Sequence, residues 1–200
     1  MKLLLLILPA ALAAATSLAN EEFKTLGTTV EPGASIDWVG EKTSLKGKGA
    51  LKRDTRLPDA ILIGSKMKSE TLFNAGHVQL ISVVPSLDTP VCDRQTHILA
   101  ETKTLSPKVE KITISRDLPY AQRRFADQSE KLKSVRYLSD YKSGEFGKMT
   151  GLELERNDLL ARAVIVLDAQ GVVRHYQIVP EIYALPDMEK AFAVANSLVK

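Results

Sequence analysis

Between Ile36 and Leu198 the apolar residues come in short runs, separated by glycine, proline and charged clusters, and the runs switch between alternating and helical spacing. Residues 35–39 and 42–46, joined around Gly40-Glu41, predict a hairpin with Ile36 and Trp38 on one face. Gly47, Gly49 and Pro58 interrupt the chain before a strand at 60–63. The strongest strand is 78–84, Val-Gln-Leu-Ile-Ser-Val-Val, whose content suits a central position buried on both faces; Pro85 stops it. From Val91 there is no glycine or proline until Pro107, and Val91, Gln95, Ile98, Leu99 and Leu105 recur at helical spacing, so a helix fills this stretch. A strand at 109–115 follows, then a helix at 118–125 opened by Asp117 and Pro119, a short strand at 135–138 and a small helix at 145–150. Strands at 163–167 and 172–179 are joined through Asp168-Ala169-Gln170-Gly171, with glycine at the turn, and an amphipathic helix at 187–199 closes the chain.

Strands alternating with helices, then a hairpin and a last helix, predict an α/β domain with an open mixed sheet, flanking helices on both faces and an N-terminal β-hairpin. A thioredoxin-like fold fits this order. Sites in such sheets form beyond the carboxyl ends of central strands, which places attention on residues 85–92.

The chain has 200 residues, 44% of them hydrophobic and 26% charged, which suits one domain with a sizeable core. Met1-Lys2, the leucine run to Leu8, Pro9 and an alanine-rich stretch have the layout of a secretory signal peptide, with Ser17-Leu18-Ala19 offering cleavage after Ala19. The apolar stretch is shorter than the roughly 20 residues that span a bilayer, so no stable membrane insertion is expected after cleavage. Residues 20–34, with Pro32-Gly33, read as a partly mobile arm, and 35–200 as the domain. The net charge of +3 falls to +2 without Lys2, a balance that gives no case for nucleic acid as a partner. The lysines near the hairpin are flanked by Glu41, Asp54 and Asp59 and read as a solvated surface.

The chain contains one cysteine, Cys92, so no internal disulfide can form. Composition leaves three roles for it: a buried thiol, an intermolecular linker or a reactive group. A thiolate nucleophile needs surroundings that prefer the anion, and the backbone N–H groups of a first helical turn provide one such feature. Thr89, three residues earlier, provides another through its hydroxyl, although the same spacing suits an ordinary helix cap. No neighbouring residue supplies a fixed cation, since Arg94 lies within the helix, so the cation has to come from elsewhere.

The stretch Pro85-Ser86-Leu87-Asp88-Thr89-Pro90-Val91-Cys92 resembles the peroxiredoxin motif Pro-x-x-x-Thr-x-x-Cys. The resemblance implies that Pro85 shields the sulfur, that Thr89 and Cys92 act on the substrate, and that the missing cation is an arginine at the start of a late strand. Leu160-Ala161-Arg162-Ala163-Val164 looks like that segment, which identifies Arg162. Ser115-Arg116-Asp117-Leu118-Pro119-Tyr120-Ala121-Gln122-Arg123-Arg124-Phe125 is similar to the bacterial thiol peroxidase subfamily, and the likeness runs from about Ile36 to the C-terminus. The implied chemistry is attack of Cys92 on a hydrogen peroxide or organic hydroperoxide to give a sulfenic acid. No cofactor or metal is required, and His77, His97 and His175 form no ligand pattern.

The sequence departs from that subfamily at Ala126, where members usually carry a resolving cysteine. The sulfenic acid must therefore meet an external thiol, a thioredoxin-like reductant or a second subunit's Cys92. The resemblance implies a homodimer, and the leader implies export, to the periplasm of a bacterium. The alternative function is an exported redox sensor or thiol-linked binding protein of the same fold without efficient turnover; retention of Pro85, Thr89 and Arg162 favours the peroxidase.

Overall fold

A strand with every residue buried has to lie inside a sheet, and Gln79–Val83 meets that condition. The computed structural model describes residues 23–199; the expected leader at 1–19 and the first residues of the arm lie outside them. Among the described residues the elements run β1 (Thr25–Leu26), β2 (Ser35–Trp38), β3 (Glu41–Lys46), β4 (Ile61–Gly64), β5 (Ser69–Thr71), β6 (Gln79–Val83), α1 (Pro90–Glu101), β7 (Glu110–Ser115), α2 (Pro119–Ala126), α3 (Glu130–Lys133), β8 (Arg136–Ser139), α4 (Glu145–Thr150), β9 (Glu153–Leu154), β10 (Ala163–Leu167), β11 (Val173–Ile178), β12 (Leu185–Pro186) and α5 (Met188–Leu198).

Seven of the described strands form one sheet in the order β11-β10-β6-β7-β8-β4-β5. Strands β6, β7 and β8 are parallel to one another, while β10 runs antiparallel to both β6 and β11. This is the mixed sheet the sequence predicts. Alternation along β6 and β10 sends Ile81, Val83, Ala163 and Ile165 to one face and Leu80, Val164 and Val166 to the other. Helices α1, α2 and α5 pack on the second face, where Met188 and Phe192 of α5 join the cluster around Val164 and Val166. Burying each such side chain contributes about 1.5–3 kcal/mol. The first face is covered by α4 together with the small β2-β3-β9 sheet, so the helices are divided unequally between the faces.

The described part of the arm is paired with the domain: β1 pairs with β12, Val30 N–H donates to Ile178 O at 3.0 Å, and Ile178 N–H donates to Thr29 Oγ1 at 2.9 Å. It lies along the outer strand β11, whose open edge offers unpaired backbone groups. The reading of Asp117 as the residue that opens α2 needs correction. The capping position is Leu118, with no side-chain cap, and the Asp117 carboxylate turns elsewhere. Gly171 does hold the β10–β11 turn, with φ of 79°, and a Cβ there would lie 3.0 Å from the Phe73 ring.

Candidate active site

The parallel run of β6 and β7 carries both chains out at the same edge of the sheet, and the loop after β6 returns as α1. Pro90 opens α1, where its missing N–H leaves no helical bond unmade. Cys92 follows in the first turn, facing the sheet, and is wholly buried in the cluster with Leu80, Val84 and Val164. Pro85 is buried in the same loop.

Register brings the cation to this point. Ala163 pairs with Val83 at the end of β6, so the preceding residue, Arg162, sits at the same edge. Arg162 is 2% exposed, and a buried guanidinium needs partners for its N–H groups. It has three: Nε donates to Ile182 O at 3.0 Å, Nη1 to Gln95 Oε1 at 2.9 Å, and Nη2 to Cys92 Sγ at 3.4 Å. Gln95 lies one helical turn after Cys92 on the same buried face, and its Nε2 donates to Ser82 Oγ at 2.8 Å and Ala163 O at 3.2 Å. The amide thus links α1, β6 and β10 and fixes the direction of the guanidinium.

Thr89 stands at the helix-cap position of α1, where one of the two sequence readings puts it, but its side chain does not cap: it is exposed, and its hydroxyl donates to Ser86 O at 3.0 Å. Ser86 Oγ in turn donates to Asp117 Oδ1 at 2.7 Å, and Leu87 N–H donates to Asp117 Oδ2 at 2.8 Å. The loop is therefore tied to the segment between β7 and α2. Ala126 ends α2 and is nearly buried in the same apolar cluster as Cys92.

The structure thus brings Cys92 and Arg162 into contact, with Pro85 buried in the same loop and Thr89 at its solvent side. Sequence reasoning missed Gln95 and Asp117 as parts of the arrangement. Gln95 had a signal, being a polar residue on the otherwise apolar stripe of α1. Asp117 had none of its own, because an aspartate two residues before a proline also reads as a helix start. Chemically, the arrangement is a single thiol, closed off from water, with a fixed positive charge on it and helix N–H groups nearby. Such an environment favours a developing negative charge at the sulfur and on an atom bonded to it.

A family model described as Redoxin matches residues 48–192. The thiol peroxidase of Halalkalibacterium halodurans is 38% identical over 165 residues, covering 82% of this chain and 98% of that protein. The thiol peroxidase of Bacillus subtilis is 36% identical over 168 residues, covering 84% and 99%. Among solved structures, a peroxiredoxin-like protein from Aquifex aeolicus superposes with a TM-score of 0.76 at 30% identity, over 86% of this chain and 100% of that one.

Proposed function

The chain belongs to the redoxin family, and on that footing we propose that it is a thiol-dependent peroxidase in which Cys92 attacks hydrogen peroxide or an organic hydroperoxide. The observation that carries the role of Cys92 is the 3.4 Å approach of Arg162 Nη2 to its sulfur inside a buried site. The thiolate attacks the terminal peroxide oxygen; an S–O bond forms as the O–O bond breaks, and sulfur gives up two electrons. The departing oxygen takes a proton and leaves as water or an alcohol, with a sulfenic acid left on Cys92. Arg162 and the first-turn N–H groups of α1 stabilise the charge that moves across these atoms. Thr89 adds a donor by rotating its hydroxyl away from Ser86 O, and Pro85 screens the sulfur.

Regeneration calls on an outside thiol. It attacks the sulfenic sulfur to form a mixed disulfide and water, and a second thiol, free or on a thioredoxin-like protein, releases Cys92. Ala126 supports this reading, because no second cysteine exists in the chain. A sulfenic acid without an internal partner is open to a second peroxide, so excess peroxide converts Cys92 to the sulfinic acid. The subfamily likeness supports a homodimer, and the sequence of residues 1–19 supports export to a bacterial periplasm.

The test is to mix the reduced protein with one equivalent of hydrogen peroxide or an organic hydroperoxide and follow peroxide loss and sulfenic acid formation. Wild type is expected to consume peroxide with one sulfenic acid per chain, and Cys92→Ser to leave it intact. Equal rates for the two proteins would sink the reading.

A further inference from the structure

We propose that Gln177 is a positioning residue for the reaction at Cys92: through the N-terminal arm and the start of α5 it holds the link between β11 and β12, whose Ile182 carbonyl aims Arg162. The proposal rests on the peroxidase reading above. A guanidinium is a planar fork, so fixing two of its nitrogens fixes where the third points. Gln95 Oε1 fixes Nη1 and Ile182 O fixes Nε, which leaves Nη2 directed at Cys92 Sγ. The first of these acceptors belongs to the helix that carries the cysteine. The second lies in residues 179–184, outside the helices and strands.

A link without its own ladder has to be held by other segments. At its start Val179 N–H donates to Arg162 O at 3.0 Å, and in its middle Asp37 N–H donates to Pro180 O at 2.7 Å while Ile182 N–H donates to Asp37 O at 3.0 Å. At its end β12 lies on β1, where Leu185 N–H donates to Lys24 O at 2.8 Å. Gln177 fastens this last part. Its side chain is buried, its Nε2 donates to Leu26 O and to Thr28 O, the latter at 2.9 Å, and its Oε1 accepts Asp187 N–H at 2.8 Å. One amide thus ties the arm, β11 and the N-cap of α5, with two acceptors for its two N–H groups. A further tie, Lys24 to Glu181, is 3.6 Å long with side chains 66% and 49% exposed, and such a pair contributes little.

Removing the amide leaves Leu26 O, Thr28 O and Asp187 N–H without that partner. The later half of the link then rests on an arm that has lost two of its ties to β11, and the Ile182 carbonyl is held less firmly. A fork secured at Nη1 alone can pivot, which takes Nη2 off the sulfur. Donors aimed at developing charge work only when held in place, and a misplacement of about 1 Å is enough to cost rate. Gln177 acts on the reaction only through Arg162.

The experiment compares wild type, Gln177→Met, Gln177→Asn, Lys24→Ala, Arg162→Met and the double variant Gln177→Met with Arg162→Met. Two readouts are followed: the second-order rate with peroxide, and the Arg162 Nε–H signal in nitrogen-15 spectra of arginine-labelled protein, assigned by its absence from Arg162→Met. Gln177→Met is expected to lower the rate about fivefold, the size for loss of one buried hydrogen bond, and to shift the Nε–H signal and quicken its exchange with water. Gln177→Asn keeps an amide too short to reach all three partners and shows a smaller change of the same sign in both readouts, so it serves if Gln177→Met does not fold. Lys24→Ala stays within about twofold of wild type. The double variant reacts no more slowly than Arg162→Met alone. A rate loss with the Nε–H signal unmoved, or one that adds to that of Arg162→Met, makes Gln177 a support of the fold only and overturns the proposal, as does an unchanged rate. If wild type proves no faster than Cys92→Ser while the signal still moves, the peroxidase reading fails and the aiming of Arg162 through Gln177 stands.

Discussion

Arg162 and His175 are both nitrogen bases buried beside the β10–β11 hairpin, at 2% and 3% exposure, and the fold treats them in opposite ways. Arg162 keeps its charge and has a partner for each of its three nitrogens, one of them the Cys92 sulfur. His175 pairs in register with Val166, on the face covered by α5, and its Nε2 has no hydrogen-bond partner among the described residues. Burial pushes its pKa down to about 4, helped by the charges of Arg53 and Lys190 and opposed by Asp187. A buried base is thus retained either by equipping it with partners or by leaving it neutral, and only the equipped one sits where charge has to be managed.

The contrast breaks most visibly if Arg162 loses its charge. Arg162→Met keeps bulk and removes every donor, so the second-order rate with peroxide is expected to fall about 10²–10³-fold, as for loss of a donor aimed at developing charge. Arg162→Lys falls between, because an ammonium keeps the charge and lacks the planar fork. Stopped-flow peroxide consumption measures both, with far-UV circular dichroism to check the fold. A loss below about threefold for Arg162→Met would make the guanidinium a packing element and remove the distinction from His175.

How far this arrangement can be read from sequence depends on the reach of each interaction. The central strand β6 and helix α1 are legible because an apolar run and an apolar stripe are local patterns; the bounds of β6 and the start of α1 agree with the structure to within about a residue, whereas α1 ends at Glu101, short of Leu105, which the helical spacing includes. Elements made by distant pairing are not: β1 and β12 have two residues each and exist only through one another. Arg162 lies 70 positions from Cys92, so nothing in its spacing announces the contact, and the family likeness located it. The likeness did not locate the Thr89 hydroxyl, which depends on the conformation of Ser86, or Asp117, whose partners lie 30 and 31 positions earlier. Ala126 is legible only as a departure, since an alanine near the end of an amphipathic helix is otherwise unremarkable.

His175 gives the next largest effect, on stability instead of rate. In the unfolded chain the ring titrates near its ordinary 6.5, and in the folded protein only near 4. Between those values the unfolded chain holds a proton that the native one lacks, so stability is unaffected by this group above pH 6.5 and falls as pH drops toward 4. The window of about 2.5 units corresponds to roughly 3 kcal/mol. His175→Leu removes the titration and no hydrogen bond at Nε2. Urea unfolding of the two proteins at pH 7 and pH 4.5 is expected to show a smaller loss for the variant, while its peroxide rate matches wild type. Parallel stability profiles would mean that the ring finds a partner when protonated.

The smallest effect tests whether the equipment of Arg162 extends beyond its own nitrogens. Gln95→Met removes the acceptor of Nη1 and the amide links to Ser82 and Ala163, leaving the guanidinium charged but less fixed in direction. One buried hydrogen bond of this kind is worth about 1–2 kcal/mol, so the peroxide rate should fall about tenfold. The double variant with Arg162→Met decides the route of that effect. If Gln95 acts by aiming Arg162, then once the guanidinium is gone the amide has nothing left to aim, and the double variant reacts no more slowly than Arg162→Met alone. Additive losses would show instead that Gln95 shapes the start of α1 directly, and the partnered base would then be one part of a wider buried network around the sulfur.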